Sequence, residues 1–282
     1  MNVGSSTQGG TKIIKTVGVI GAGRMGQPII GHLVRKGFDV LVHDIDAAKK
    51  SPVVECGAGW SENLAELALM SDAILVCVGF DSELRELISE RGMLQHLRSD
   101  TIVGLLSTVQ PKTVQELAKV GADAGVHIVD ATVCRGGRAA DTGTLLSFVG
   151  GDPAIVERLK PVLAAYSTDI VHTGAVGSAQ VAKAANNLIM WACLVADHEA
   201  LALAQRHGLD AGLLRQALMV STANNDVLKH WGRNEMVWAQ DDMAIVAAMA
   251  EERGMSLPLS GVVRELCRTL KPRRYKLEEY GK

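Results

Sequence analysis

Short apolar, β-rich runs alternate with helical patterns through the first half of the chain, and that alternation limits the fold more than any other feature. The runs are TVGVI (16–20), DVLVH (39–43), AILVCV (73–78), TIVGLL (101–106) and VHIVD (126–130). Between them, 24–36, 61–70, 82–96 and 111–124 carry helical spacing. Parallel strands need a crossover, usually a helix, so this order predicts a parallel, doubly wound α/β sheet. LLSFVGG (145–151) and DIVHTG (169–174) read as further strands with a helix at 153–166 between them. From Ser178 to His207 the spacing is helical without a breaker, and more helical patterns, punctuated by Pro258 and glycines at 208, 232 and 254, run to the end. The expected organisation is a flexible leader over 1–14, an α/β domain over 15–175 and an all-helical domain over 176–282.

A chain of 282 residues that is 48% hydrophobic can bury the core such a plan needs. Its formal net charge of -2 exerts no global pull toward nucleic acid or an anionic membrane. The basic run 268–276 is followed by Glu278 and Glu279 and reads as a solvated end. Cys56, Cys77, Cys134, Cys193 and Cys267 form no C-x-x-C pair, so neither a metal site nor a disulfide framework is expected. The polar, Gly/Ser-rich leader lacks the apolar centre of a signal peptide. The run LIMWACLVA (188–196) falls well short of the ~20 apolar residues that span a bilayer. The expectation is a reduced, cytoplasmic protein with no nucleic-acid or membrane partner.

Within VGVIGAGRMG, Gly21-x-Gly23-x-x-Gly26 follows a strand and opens a helix. That context gives the glycines work: Gly21 for the tight turn, Gly23 for backbone approach to a pyrophosphate, Gly26 for helix-on-strand packing. The phosphates would sit on free N–H groups at the helix start, beside Arg24 and Met25. The α/β half is therefore expected to be a Rossmann-type dinucleotide-binding domain. Asp44 ends the second strand, where an acid binds the adenosine ribose hydroxyls and repels a 2′-phosphate. The lesser alternative is an exposed turn residue. NAD is preferred on this reading; NADP stays possible, because Arg24 could pair with a phosphate.

GAVGSAQVAKAANN places Lys183 and Asn187 four apart, on one face of the long helix, among small or apolar neighbours. On spacing alone Lys183 is as readily a surface charge. Four stretches in order decide more. GAGRMGQPIIGHL (21–33), STVQP (107–111), DATVCRGGRAADTGTL (130–145) and GAVGSAQVAKAANN (174–187) together resemble the β-hydroxyacid dehydrogenase family, which includes 3-hydroxyisobutyrate dehydrogenases. The resemblance implies an NAD(P)-dependent oxidoreductase that interconverts an alcohol and its carbonyl by hydride transfer. Lys183 would be the general acid and base and Asn187 would hold the substrate or the lysine. Val78 and Thr108 would border the cofactor, and Cys134, Arg135 and Gly136 would bind the substrate.

The chain also departs from that family. Cys134 stands for a serine, Arg135 for the first glycine and Thr132 for a proline. A thiol is a poor donor, whereas a guanidinium offers a planar fork to a carboxylate. Either anion recognition has moved to Arg135, or that side chain points outward and carboxylate binding is weakened. In WAQDDMAIVAAMAEERGMSLPL (238–259) the family's cofactor-proximal lysine falls on Asp241. Trp231 and Trp238 could line a pocket or pack in the core. A homodimer or homotetramer joined through the long helix is expected. Imine reduction and dinucleotide binding without turnover are the alternatives; Lys183 argues against the first.

Overall fold

The computed structural model describes residues 13–90 and 92–281. Most of the expected leader, 1–12, lies outside the described residues, as does position 91 within the expected helix 82–96. Two compact units meet in sequence between Gln180 and Val181.

The first unit is built on eight strands: β1 (Thr16–Ile20), β2 (Asp39–His43), β3 (Gly59–Trp60), β4 (Ala73–Val76), β5 (Ile102–Leu105), β6 (His127–Cys134), β7 (Leu145–Gly150) and β8 (Ser167–Gly174). They form one sheet in the order β3-β2-β1-β4-β5-β6-β7-β8. Its helices are α1 (Gly26–Arg35), α2 (Lys50–Glu55), α3 (Leu64–Met70), α4 (Asp81–Arg85), α5 (Pro111–Asp123), α6 (Gly136–Thr142) and α7 (Pro153–Leu163). Ile29, Ile30 and Leu33 of α1 join Leu159 and Val162 of α7 in the core on one face. Leu67, Leu84, Val114 and Leu117 from α3, α4 and α5 cover the other. With both faces covered, β4 and β5 are buried at every position, which is why these strands read as unbroken apolar runs.

The sheet is parallel from β3 through β6, but β7 pairs antiparallel to β6. An all-parallel sheet is thus corrected at one edge. The connection 135–144 is shorter than the dozen or so residues that a parallel crossover needs. The expected helix 82–96 is also broken: α4 ends at Arg85 and runs into a π-type turn over 86–90, while Gly92 takes φ +71° before a short 3-10 turn at Met93–His96. β3 and α2 escaped the sequence reading, being too short to show a period.

The second unit carries most of the long helix α8 (Ser178–Arg206), followed by α9 (Ala211–Leu218), α10 (Asp226–Lys229), α11 (Ala239–Glu252) and α12 (Pro258–Leu270). Trp191, Leu194, Met243, Val246, Val263 and Cys267 make its core. α8 is long and apolar enough to cross a membrane by length and composition, and the run 188–196 lies inside it. Half of its most apolar window is buried inside the protein, and Asn187, Asp197 and His198 are buried along it, as in a core helix.

Candidate active-site elements

The chain order crosses from β3 at one edge to β4 on the far side of β1, so the switch point of the sheet lies between β1 and β4. The glycine-rich loop leaves β1 there. Gly21 takes φ +97° and donates its N–H to the His43 carbonyl at 3.0 Å. A Cβ on Gly21 would stand 2.2 Å from the Cys77 carbonyl oxygen, and one on Gly26 would stand 1.9 Å from that of Gly21. The two glycines are therefore packed backbone on backbone. Gly23 differs: nothing lies within 4 Å of where its Cβ would be. That is the open cradle a pyrophosphate needs, so these residues fit a dinucleotide. Met25 precedes α1 and packs against the core.

Asp44 is half-buried just beyond β2. Its Oδ2 accepts the Ala22 N–H at 2.7 Å and its Oδ1 that of Asp46 at 2.8 Å. A carboxylate has about four lone-pair sites, so two remain for ribose hydroxyls. Arg24 makes a bidentate pair with Asp141 of α6, at 2.7 and 2.8 Å, and so ties the glycine loop to the segment after β6. That pairing holds the Asp141 carboxyl below the usual range. Val78 donates its N–H to Ser107 Oγ at 3.0 Å, joining the ends of β4 and β5, and Thr108 follows half-buried.

Cys134 closes β6 with its thiol buried. Arg135 then takes φ +83°, a left-handed conformation that suits glycine and costs other residues ~1–2 kcal/mol. Its guanidinium Nη1 donates to the Thr144 carbonyl at 3.1 Å, to Thr168 Oγ1 at 3.0 Å and to Asp169 Oδ2 at 2.7 Å. The pairing holds the Asp169 carboxyl below its usual range. Of the two readings of Arg135, this placement favours the one without a carboxylate clamp, because Nη1 is engaged by Thr144 and by Thr168 and Asp169 of β8. Gly136, at φ +71°, is exposed with open space around its absent Cβ.

In the second unit, Lys183 is half-buried and Asn187 is buried on α8. The acid near them is Asp242. Asp241 is exposed in the first turn of α11, while Asp242 is half-buried and accepts the Trp191 Nε1–H at 2.9 Å. Burial pushes the Asp242 carboxyl above the usual range, against the pull of the Lys183 charge and hydrogen bonds from Trp191 and Asn187. Asp242 and Trp191 were missed by sequence reasoning; the signal was an acid pair on one helix, of which only one can face the core. The Trp231 ring lies tilted against the buried His198 ring, with centroids 4.5 Å apart, whereas Trp238 is exposed. Among the described residues no group of His, Cys, Asp and Glu could hold a metal ion.

A glycine cradle at the switch point of a doubly wound sheet fits the pyrophosphate of a dinucleotide, so the class is that of dinucleotide-binding proteins. Comparison with known proteins narrows it. Residues 16–174 match a family described as the NAD binding domain of 6-phosphogluconate dehydrogenase, and residues 177–279 one described as the NAD-binding of NADP-dependent 3-hydroxyisobutyrate dehydrogenase. The 2-(hydroxymethyl)glutarate dehydrogenase of Eubacterium barkeri is 27% identical over 262 residues, covering 89% of this chain and 87% of that protein. A probable mitochondrial 3-hydroxyisobutyrate dehydrogenase of Dictyostelium discoideum is 32% identical over 214 residues, 76% of this chain and 67% of that one. The solved structure of Mycobacterium tuberculosis 3-hydroxyisobutyrate dehydrogenase with L-serine superposes with a TM-score of 0.85 at 23% identity, covering 93% of this chain and 95% of that one. At that identity the likeness speaks for the fold. The chain belongs to the β-hydroxyacid dehydrogenase family, of the 3-hydroxyisobutyrate dehydrogenase-like type. It is an NAD(P)-dependent dehydrogenase acting on CH–OH groups.

Proposed function

We propose that this dehydrogenase prefers NAD(H), acts on a small hydroxy acid and uses Lys183 as its general acid and base. The observation that carries the reading is the cluster of Lys183, Asn187 and Asp242 in the helical unit, a cation with a half-buried counter-charge and a buried amide. When bound, the nicotinamide supplies or accepts the hydride. Lys183 Nζ gives a proton to the substrate oxygen as a carbonyl is reduced and takes it back as the alcohol is oxidised. Asn187 holds that oxygen or the lysine. Asp242, fixed by the Trp191 indole, places its carboxyl near the ammonium.

Asp44 supports NAD(H): a carboxylate at the ribose position repels a 2′-phosphate, and the pairing of Arg24 with Asp141 draws that cation away from such a role. Val181, Ile189 and Leu203 are exposed large apolar residues along α8, which supports a homodimer or homotetramer joined there. Five free thiols suit the reducing cytoplasm.

The test follows nicotinamide absorbance with NAD+ or NADP+ and a panel of small hydroxy acids, their neutral alcohol analogues and cyclic amines. NAD+ is expected to exceed NADP+ in kcat/KM by at least about tenfold, with hydroxy acids as the best substrates. Turnover restricted to NADP+, or to the amines, would overturn the proposal.

A further inference from the structure

Gln180 lies in the first turn of α8, is 1% exposed and faces neither solvent nor substrate-sized space. Its side-chain amide reaches the segment that follows β5. Oε1 accepts the Val109 N–H at 3.0 Å and Nε2 donates to the Ser107 carbonyl at 2.9 Å. These two backbone groups flank Thr108, and both belong to buried residues outside regular structure. The amide therefore does for this turn what a neighbouring strand does for β5. Ser107 also fixes Val78 through its hydroxyl, and the Gln180 N–H is itself held by Asp130 Oδ2 at 3.0 Å. One side chain thus gathers the ends of β4 and β5 and the start of α8.

We infer that Gln180 is the positioning residue that sets Thr108, and through Ser107 also Val78, at the nicotinamide edge of the cofactor site. The role builds on the NAD(H) use proposed above. It requires an amide in one orientation, because a carbonyl on one side and an N–H on the other call for one donor and one acceptor. A neutral carboxylic acid reproduces that pair; a carboxylate does not, since it would face the Ser107 carbonyl with no donor.

The experiment compares the wild type, Gln180→Leu and Gln180→Glu by calorimetric titration with NADH and with ADP-ribose, which lacks the nicotinamide. Gln180→Leu should weaken NADH roughly tenfold and leave ADP-ribose within about twofold. Gln180→Glu should show the same NADH defect at about pH 8.5 and lose most of it at about pH 6, as its buried side chain becomes neutral. Circular dichroism on the Gln180→Glu sample at both pH values confirms that it is folded. Equal losses for NADH and ADP-ribose, no loss for either, or a Gln180→Glu defect that ignores pH would overturn the positioning role. These measurements need no turnover, so they stand apart from the roles of Lys183 and the substrate. A wild type that binds neither ligand would remove the cofactor reading and this role together.

Discussion

Replacing Asp130 by alanine tests how the start of α8 is held. Asp130 is fully buried on β6, and its two oxygens accept the Gly177 N–H at 2.8 Å and the Gln180 N–H at 3.0 Å. Alanine orphans both donors. An unsatisfied buried group costs ~1–3 kcal/mol and a lost helix cap ~0.5–2 kcal/mol. Part of this is offset, because burial works against the charge of Asp130 and raises its carboxyl pKa. The net expectation is a loss of about 2–3 kcal/mol, or roughly 4–10 °C in Tm. Asparagine keeps the shape but turns an NH2 toward one donor, and should lose ~1–2 kcal/mol. The pH sign is also determined. A folded pKa above the unfolded value means that stability from this group is present below the unfolded pKa and is lost as pH rises through the folded one. Asp130→Asn should therefore remove a contribution that falls with rising pH, so the variant's deficit in stability relative to wild type shrinks as pH rises. Urea unfolding at several pH values reads both effects. An alanine variant within ~0.5 kcal/mol of the wild type would refute the capping argument.

Two other predictions concern separate parts of the molecule. Gly26→Ala puts a Cβ 1.9 Å from the Gly21 carbonyl oxygen, so the loop must shift; NADH titration should show at least about tenfold weaker binding. Asp197 is buried on α8, accepts an Asn225 N–H through Oδ1 and has no partner for Oδ2, and burial pushes its carboxyl up to about 6. Its stabilising contribution is present below the unfolded carboxylate range and is lost as pH rises through about 6. Asp197→Asn should thus raise the urea midpoint at pH 8 by the equivalent of ~1–2 kcal/mol and change little at pH 4, and a loss of stability at pH 8 would contradict the assignment.

The features legible in the sequence are local. Apolar runs marked seven of the eight strands, since buried strands need no alternation, and the glycine spacing carried its own context. Arg135 stood out beside two glycines, but its destination, Asp169, is set by the antiparallel turn of β7, which no periodicity announces. The choice of Asp242 over Asp241 depends on which face of α11 meets Trp191. Asp130 and Gln180 were read only as members of motifs; their partners lie 47 to 73 residues away and exist only once the sheet has formed. Short elements such as β3 and α6 hold too few residues to show a period, and tertiary packing alone defines them.

Lys183→Ala, measured beside the wild type for both turnover and NADH binding, tests the central claim most directly. Turnover with the best hydroxy acid should fall by about 10²–10⁴, the usual worth of a general acid–base group, while NADH affinity stays within about twofold. A variant that turns over at the wild-type rate would contradict the account.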